Sequence, residues 1–348
     1  MKVNQKIGII GCGKRFTNVY SHILEKLNYE VYVWNRTSKK SLELCQKNEQ
    51  LNYVENLAQF KQLNLNLILC FVPANANFDL INKNFNGSDF TEDCPLLIET
   101  PVADPRWIQF SQNSYIGVLE QWVSLPLEQF KKKVYDSKLI DKPYWVFNDG
   151  RSFDYHAIAQ LRSYINHSIP NTIMGYLDDI MNPGFIDKEG QFNNTSDFWT
   201  HGYVRMSDNS ILMHSFAYNC KASLLKHIQL LRATSVNGSI VTGRVDQMDN
   251  DYEMAEIRYL NNTREVICEK ISATRERQIT LELNAAGLVW KNPYASLGFD
   301  DQQTAMATVI DNALNKTIYT AKDGFIDNMT IDAMKNAAYN NTILKLTQ

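Results

Sequence analysis

The sequence predicts an α/β protein: an N-terminal Rossmann half built on a doubly wound parallel sheet, then a C-terminal α/β half with a large open, mostly antiparallel sheet. Three observations predict it. Up to about residue 121 short apolar runs alternate with amphipathic stretches, and the first run leads directly into a glycine turn. Beyond residue 121 the strand-like segments alternate polar with apolar residues and are separated by Asn, Asp and Gly.

In the first half, Ile7 to Ile10, Val31 to Trp34, Leu67 to Val72, Leu96 to Ile98 and Tyr115 to Leu119 are apolar on both faces, as strands covered by helices on both sides must be. Helical periodicity fills the gaps at about 16 to 27, 38 to 48, 57 to 63 and 77 to 85, which gives the β-α-β rhythm of a doubly wound fold. In the second half a helical piece, Leu127 to Leu139, precedes strand-like runs at Tyr144 to Phe147, Thr172 to Tyr176, Gly202 to Met206 and Ile211 to Tyr218. Four more follow at Ser239 to Val245, Tyr252 to Leu260, Arg264 to Cys268 and Gln278 to Leu283. Alternation of this kind fits an antiparallel sheet with one face solvated or paired with another subunit. From Asp301 to Asn340 the pattern returns to helix.

The 348 residues are enough for two domains, because single cores stop growing at a few hundred residues. The domains expected are 1 to 121, a dinucleotide-binding unit, and 122 to 318, a unit for substrate and oligomerisation. With 44% hydrophobic and 21% charged residues the chain buries real cores and is not disordered. A net charge of −3 supplies no basic field, which argues against nucleic acid as a partner. No apolar run approaches the roughly 20 residues of a membrane span. The N-terminus enters a strand without a secretory h-region, and six scattered cysteines without a CxxC pair suggest neither disulfides nor a metal site. A cytoplasmic protein without metal or membrane partner is expected, acting on a small molecule. Its open sheet calls for a homodimer or homotetramer.

The sharpest local signal is Ile7-Gly8-Ile9-Ile10-Gly11-Cys12-Gly13-Lys14-Arg15-Phe16, a strand, a glycine turn and a helix start. Gly11 permits the tight turn, Gly13 lets backbone approach a pyrophosphate, and the amides of the following residues supply donors. Phe16 stands where a third glycine or alanine is usual. Gly11, Cys12, Gly13, Arg15 and Phe16 are thus the first cofactor candidates. The second strand ends at Asn35, where an NAD enzyme usually places a carboxylate that accepts from the ribose 2′-hydroxyl. Neutral Asn35 followed by Arg36, Thr37 and Lys39 suits a 2′-phosphate, so NADP is expected in preference to NAD. Two further loops follow strands, where open α/β sheets bind ligands: one contains Pro73, Ala74 and Asn77, the other Glu99, Thr100 and Pro101.

These loops, the glycine turn and the segment Tyr319 to Ala338 together resemble the Gfo/Idh/MocA oxidoreductases. The resemblance implies an N-terminal Rossmann domain followed by an α/β domain with an open sheet, with residues 319 to 348 returning as a helix to the nucleotide domain. It also implies a Glu-Lys-Pro loop whose lysine contacts substrate and nicotinamide, and an Asp four residues before a His on a helix of the second domain. Here Thr100 stands at the lysine position and Ser152 at the Asp position, unless Asp154 serves instead; His156 matches.

An imidazole suits proton transfer near neutral pH, so His156 is the leading catalytic candidate, with Asp154, Tyr155 or Tyr144 to assist and His201 second among the histidines. The function expected is hydride transfer between NADP(H) and a small cyclic substrate, a sugar, nucleotide-sugar or polyol at one carbinol or ketone carbon. Replacement of the lysine leaves two alternatives: an imine reductase similar to the thiazolinyl imine reductases of siderophore assembly, and a non-catalytic nucleotide-binding sensor or scaffold.

Overall fold

The computed structural model describes residues 5–110, 113–149, 154–182, 185–186, 192–193, 197–216, 228–247, 250–274 and 277–346. The chain forms two units, 1–124 with 302–326 and 125–301 with 327–348.

The first unit is built on six strands: β1 (Lys6–Ile10), β2 (Glu30–Trp34), β3 (Leu51–Tyr53), β4 (Leu67–Cys70), β5 (Leu96–Ile98) and β6 (Ile116–Val118). They lie in the order β3-β2-β1-β4-β5-β6, and all five pairings are parallel. Parallel strands need crossovers. These are a π-helical turn Phe16–Tyr20 running into α1 (Ser21–Lys26), then α2 (Ser38–Lys47), α3 (Leu57–Gln62), α4 (Ala74–Asn84) and, between β5 and β6, the 3₁₀ helix Pro105–Phe110. The apolar runs read from the sequence are the central strands, and every residue of β4, β5 and β6 is buried. Sequence periodicity missed β3, three residues long at the sheet edge, because so short a strand shows no alternation. Phe60, Ile68, Phe78, Trp107 and Val118 fill the core.

The second unit begins with α5 (Pro126–Asp136), β7 (Trp145–Asp149) and α6 (Asp154–Tyr164). The strands β8 (Pro170–Asn182), β9 (Phe185–Ile186), β10 (Phe192–Asn193), β11 (Asp197–Met206), β12 (Ile211–Phe216), β13 (Ile228–Thr234), β14 (Gly238–Gln247), β15 (Asn250–Leu260) and β16 (Val266–Thr274) follow. A hairpin, β17 (Thr280–Leu283) with β18 (Leu288–Lys291), leads to α7 (Asp301–Leu314), α8 (Ala321–Asn340) and β19 (Ile343–Lys345). Nine strands form one sheet in the order β16-β15-β14-β13-β7-β12-β11-β8-β19. Seven of its eight pairings are antiparallel and β7–β12 is parallel, so the mostly antiparallel sheet read from the sequence is present. The strand expected to reach Tyr218 ends at Phe216 within the described residues. The strand β13 was not anticipated.

Helices cover one face of this sheet. Ile158 and Leu161 of α6, with Ile331, Met334 and Ala337 of α8, pack on Val146, Ile173, Val204 and Leu212. Leu127, Phe130 and Val134 of α5 pack on Ile240 and Ile257. At Gly175 a Cβ would lie 2.6 Å from Ala338 N and Met334 O, so only glycine admits the close approach of α8. Two buried cations are satisfied inside this layer. Arg162 donates to Asp327 Oδ1 (2.6 Å), His167 O (2.8 Å) and Ser168 O (3.1 Å). Lys131 donates to Glu128 (2.5 Å) and Thr242 (3.0 Å), and the Tyr164 hydroxyl donates to the same carboxylate. Burial of an unpaired charge would cost several kcal/mol, about the stability of a domain.

The closing segment divides differently from the expected return of 319–348 to the nucleotide domain. Residues 302–326 belong to the first unit, with Val118 N donating to Tyr319 O (2.8 Å) and a Cβ at Gly324 falling 2.8 Å from Val118. Residues 327–348 belong to the second, because Ile331, Met334 and Ala337 are part of its core. The amphipathic pattern marks a helix but does not say which core each turn joins.

Candidate functional site

The candidate site is the carboxyl edge of the six-stranded sheet, where the order reverses between β1 and β4 and a crevice opens in folds of this class. Gly11 directly follows β1 with φ +92°, a left-handed conformation open to glycine. Its N–H donates to Trp34 O (2.9 Å), and a Cβ there would meet Val72 at 3.2 Å. At Gly13 nothing lies within 4 Å of a Cβ position, so the backbone faces open space. The turn is braced from β2: Cys12 N donates to Asn35 Oδ1 (3.3 Å), and Asn35 Nδ2 donates to Thr37 O (3.0 Å). Burial pushes the Cys12 thiol above its ordinary value, and the fully buried Cys70 at the end of β4 up to about 12; neither is a thiolate nucleophile near neutral pH.

Phe16 is fully buried and packs on Phe71 with ring centroids 5.5 Å apart. Its side chain belongs to the core at the position where a third glycine or alanine is usual. Tyr20 packs on the same ring at 4.7 Å. Between them Arg15 reaches across the edge. Its Nε lies 3.4 Å from Glu99 Oε1, its Nη2 donates to Gln121 Oε1 (3.2 Å), and its guanidinium lies 5.4 Å from the centroid of Tyr20. Thr100 Oγ1 donates to Glu99 Oε1 at 3.4 Å, and the Thr100–Pro101 bond is cis. Burial, then the negative field of Glu99, holds the Tyr20 hydroxyl far above its ordinary value, so it stays neutral.

The remaining cofactor candidates divide by exposure. Arg36 and Thr37 are exposed on the turn after β2 and Lys39 in the first turn of α2, 3.8 Å from Glu43. Pro73 caps α4 and Ala74 opens it. Asn77, in the first turn, is 1% exposed, yet its Oδ1 and Nδ2 have no hydrogen-bond partner. A buried, unsatisfied carboxamide carries a desolvation cost of about 1–3 kcal/mol that a polar ligand would relieve. The glycine cradle, the exposed basic turn and this orphaned amide fit a dinucleotide.

In the second unit His156 and Tyr155 lie on α6, with ring centroids 4.1 Å apart and His156 buried. Residues 150 to 153, including Ser152, and the side chain of Asp154 lie outside the described residues. Tyr144 is half exposed, just before β7. His201 stands on the sheet face away from the helices, with Nδ1 2.9 Å from Ser215 Oγ, Nε2 3.7 Å from Asp178 Oδ2, and Tyr176 stacked at 6.3 Å. Among the described residues no group of three or more His, Cys, Asp or Glu side chains is arranged to hold a metal ion. No helix among them is long and apolar enough to cross a membrane.

Sequence reasoning overlooked Gln121 and Tyr20. Gln121 follows β6 and was within reach of the rule that functional groups gather at the carboxyl ends of parallel strands. Tyr20, within a helical segment, gives no such signal.

Comparisons with known proteins agree with this architecture. A family profile described as Shikimate / quinate 5-dehydrogenase matches residues 2–90. No curated protein matches the chain. Among solved structures, levoglucosan dehydrogenase in complex with NADH and L-sorbose is similar at TM-score 0.66 and 12% identity, covering 99% of each chain. The transcriptional regulator Gal80p of Kluyveromyces lactis is similar at TM-score 0.68 and 13% identity, covering 98% of this chain and 94% of that one. A putative NADPH-dependent oxidoreductase of Desulfitobacterium hafniense is similar at TM-score 0.65 and 10% identity, covering 99% and 98%. The chain therefore has the two-domain fold of these proteins.

Proposed function

We propose that the protein is an NADP(H)-dependent oxidoreductase of the Gfo/Idh/MocA type, acting in the cytoplasm on a small cyclic carbinol, ketone or imine. The observation that carries the reading is the glycine turn at the switch point of a β3-β2-β1-β4-β5-β6 sheet, with open space over Gly13 and the unsatisfied Asn77 beside the same edge. Solved structures of the same fold, levoglucosan dehydrogenase with NADH and L-sorbose and a protein described as an NADPH-dependent oxidoreductase, support it. Neutral Asn35 and exposed Arg36, Thr37 and Lys39 favour the 2′-phosphate of NADP over the bare hydroxyl of NAD.

The nicotinamide, when bound, supplies or accepts the hydride. The glycine turn holds the diphosphate, the basic turn after β2 reads the ribose substituent, and Asn77 offers a donor and an acceptor to a polar group. His156 gives or takes the one proton that hydride transfer at a carbonyl or imine requires. Self-association through the face of the nine-stranded sheet on which Met174, Tyr176 and Leu230 are exposed belongs to the same reading.

The experiment is absorbance at the nicotinamide band with NADPH or NADP⁺ against panels of keto-sugars, polyols and cyclic imines. Turnover is expected with at least one class, and His156→Ala should lower it by about 10²- to 10⁴-fold while leaving cofactor binding intact. A second reading, a nucleotide-binding regulator without catalysis, is favoured by Thr100 at the lysine position and by the shared fold of a transcriptional regulator. Tight NADPH binding without turnover on any panel member would replace the first reading with the second.

A further inference from the structure

We propose that the Arg15–Glu99 ion pair sets the relative affinity of the site for reduced and oxidised nicotinamide, with Arg15 neutralising a carboxylate that would otherwise favour the oxidised ring. This rests on the cofactor reading above.

The argument begins with topology. A dinucleotide on a sheet of this order lies across the carboxyl ends, one half on each side of the switch point. The turn after β2 reads the ribose of the adenosine half, so the nicotinamide half falls on the side of β4, β5 and β6. Glu99 directly follows β5 and Gln121 lies just beyond β6, and both are tied to Arg15, two residues after Gly13. Arg15 therefore carries a permanent positive charge from the glycine turn to the nicotinamide side of the crevice. The neighbouring residue 100 is a neutral threonine, hydrogen-bonded to the same carboxylate.

Charge then decides. The oxidised nicotinamide ring bears one positive charge and the reduced ring none. A carboxylate beside the ring stabilises the oxidised form, and a guanidinium opposes it. The pair is only partly screened, since the side chains of Arg15 and Glu99 are 38% and 17% exposed. Buried Glu120, whose Oε1 accepts from Trp122 N (3.0 Å), and neutral Tyr20 are also close, and both are unchanged in the variants below.

The test needs no substrate. NADPH and NADP⁺ are titrated into the wild-type protein, Arg15→Met, Arg15→Lys, Glu99→Gln and the Arg15→Met/Glu99→Gln double variant, read by nicotinamide and tryptophan fluorescence. The ratio Kd(NADP⁺)/Kd(NADPH) should fall about tenfold in Arg15→Met and rise about tenfold in Glu99→Gln. It should stay near the wild-type value in Arg15→Lys and in the double variant. Parallel weakening of both forms, with the ratio unmoved, would make the pair structural and overturn the proposal. A wild-type protein that binds neither form of NADP nor of NAD would instead overturn the cofactor reading, and the proposal with it. Glu99→Gln is isosteric and Arg15→Lys keeps the charge, so the outcome does not depend on whether Arg15→Met folds.

Discussion

Asn35 commits both ends of its side chain to the protein itself, accepting from Cys12 N–H and donating to Thr37 O. It fastens the glycine turn to the end of β2, and in the proposed NADP site the ribose 2′-phosphate would meet the exposed side chains that follow. A charge-assisted hydrogen bond to a phosphate contributes about 1.5–3 kcal/mol. Arg36→Ala is therefore expected to weaken NADPH roughly 10- to 100-fold in calorimetric titration and to leave NADH affinity as it was. Equal losses for the two cofactors would remove Arg36 from the 2′-phosphate site. The basic turn was legible in the sequence because its residues are consecutive. The role of Asn35 was not, since its partner Cys12 lies on another strand's turn and the carboxamide gives no local sign of which way it points. Phe16 was legible as part of the glycine-turn motif, whereas the packing of its side chain on Phe71 was not.

The parallel pair β7–β12 carries a buried polar group. His214 stacks on Phe216 at 4.8 Å, its Nδ1 lies 3.3 Å from Asn148 O, and its Nε2 has no hydrogen-bond partner. Burial pushes its pKa down to about 4 from the ordinary 6.5, with the field of Lys335 acting in the same direction. Protons therefore bind the unfolded chain first. The contribution of His214 is complete above about pH 6.5 and is lost as the pH falls towards 4, on the order of 3 kcal/mol in all. Denaturant unfolding between pH 7 and 4 should show this slope, and His214→Gln should flatten it. An identical pH dependence in the variant would mean that His214 keeps its ordinary pKa. The strand containing His214 and the strand read at Tyr144 to Phe147 were both evident from the sequence, but their parallel pairing was not. Pairing of 211–215 with 145–149 joins segments with four further strands, β8 to β11, between them in the chain, and periodicity carries no information about such partners. The strand β13, which stands between β7 and β14 in the sheet, was not read at all.

For the molecule as an entirety, the nine-stranded sheet is the feature with an unmet requirement. Helices cover the face carrying Ile173, Val204 and Leu212, while Met174, Tyr176 and Leu230 on the other face are exposed. Self-association is the expected outcome, and sedimentation velocity at micromolar concentration should give a dimer or tetramer that Tyr176→Arg weakens. A wild-type monomer would contradict it. Composition and local pattern were sufficient for two units, a parallel sheet, a glycine turn and a solvated basic turn. Each of these is written in neighbouring residues, through strand and helix periods and the stereochemistry of glycine. Contacts between distant segments belong to the tertiary structure alone: the meeting of Arg15 with Glu99 and Gln121, the division of the closing segment between two cores, and the burial of Asn77 without a partner. Burial and charge pairing arise only when the chain brings such segments together, and a residue's chemistry in the site follows from that company.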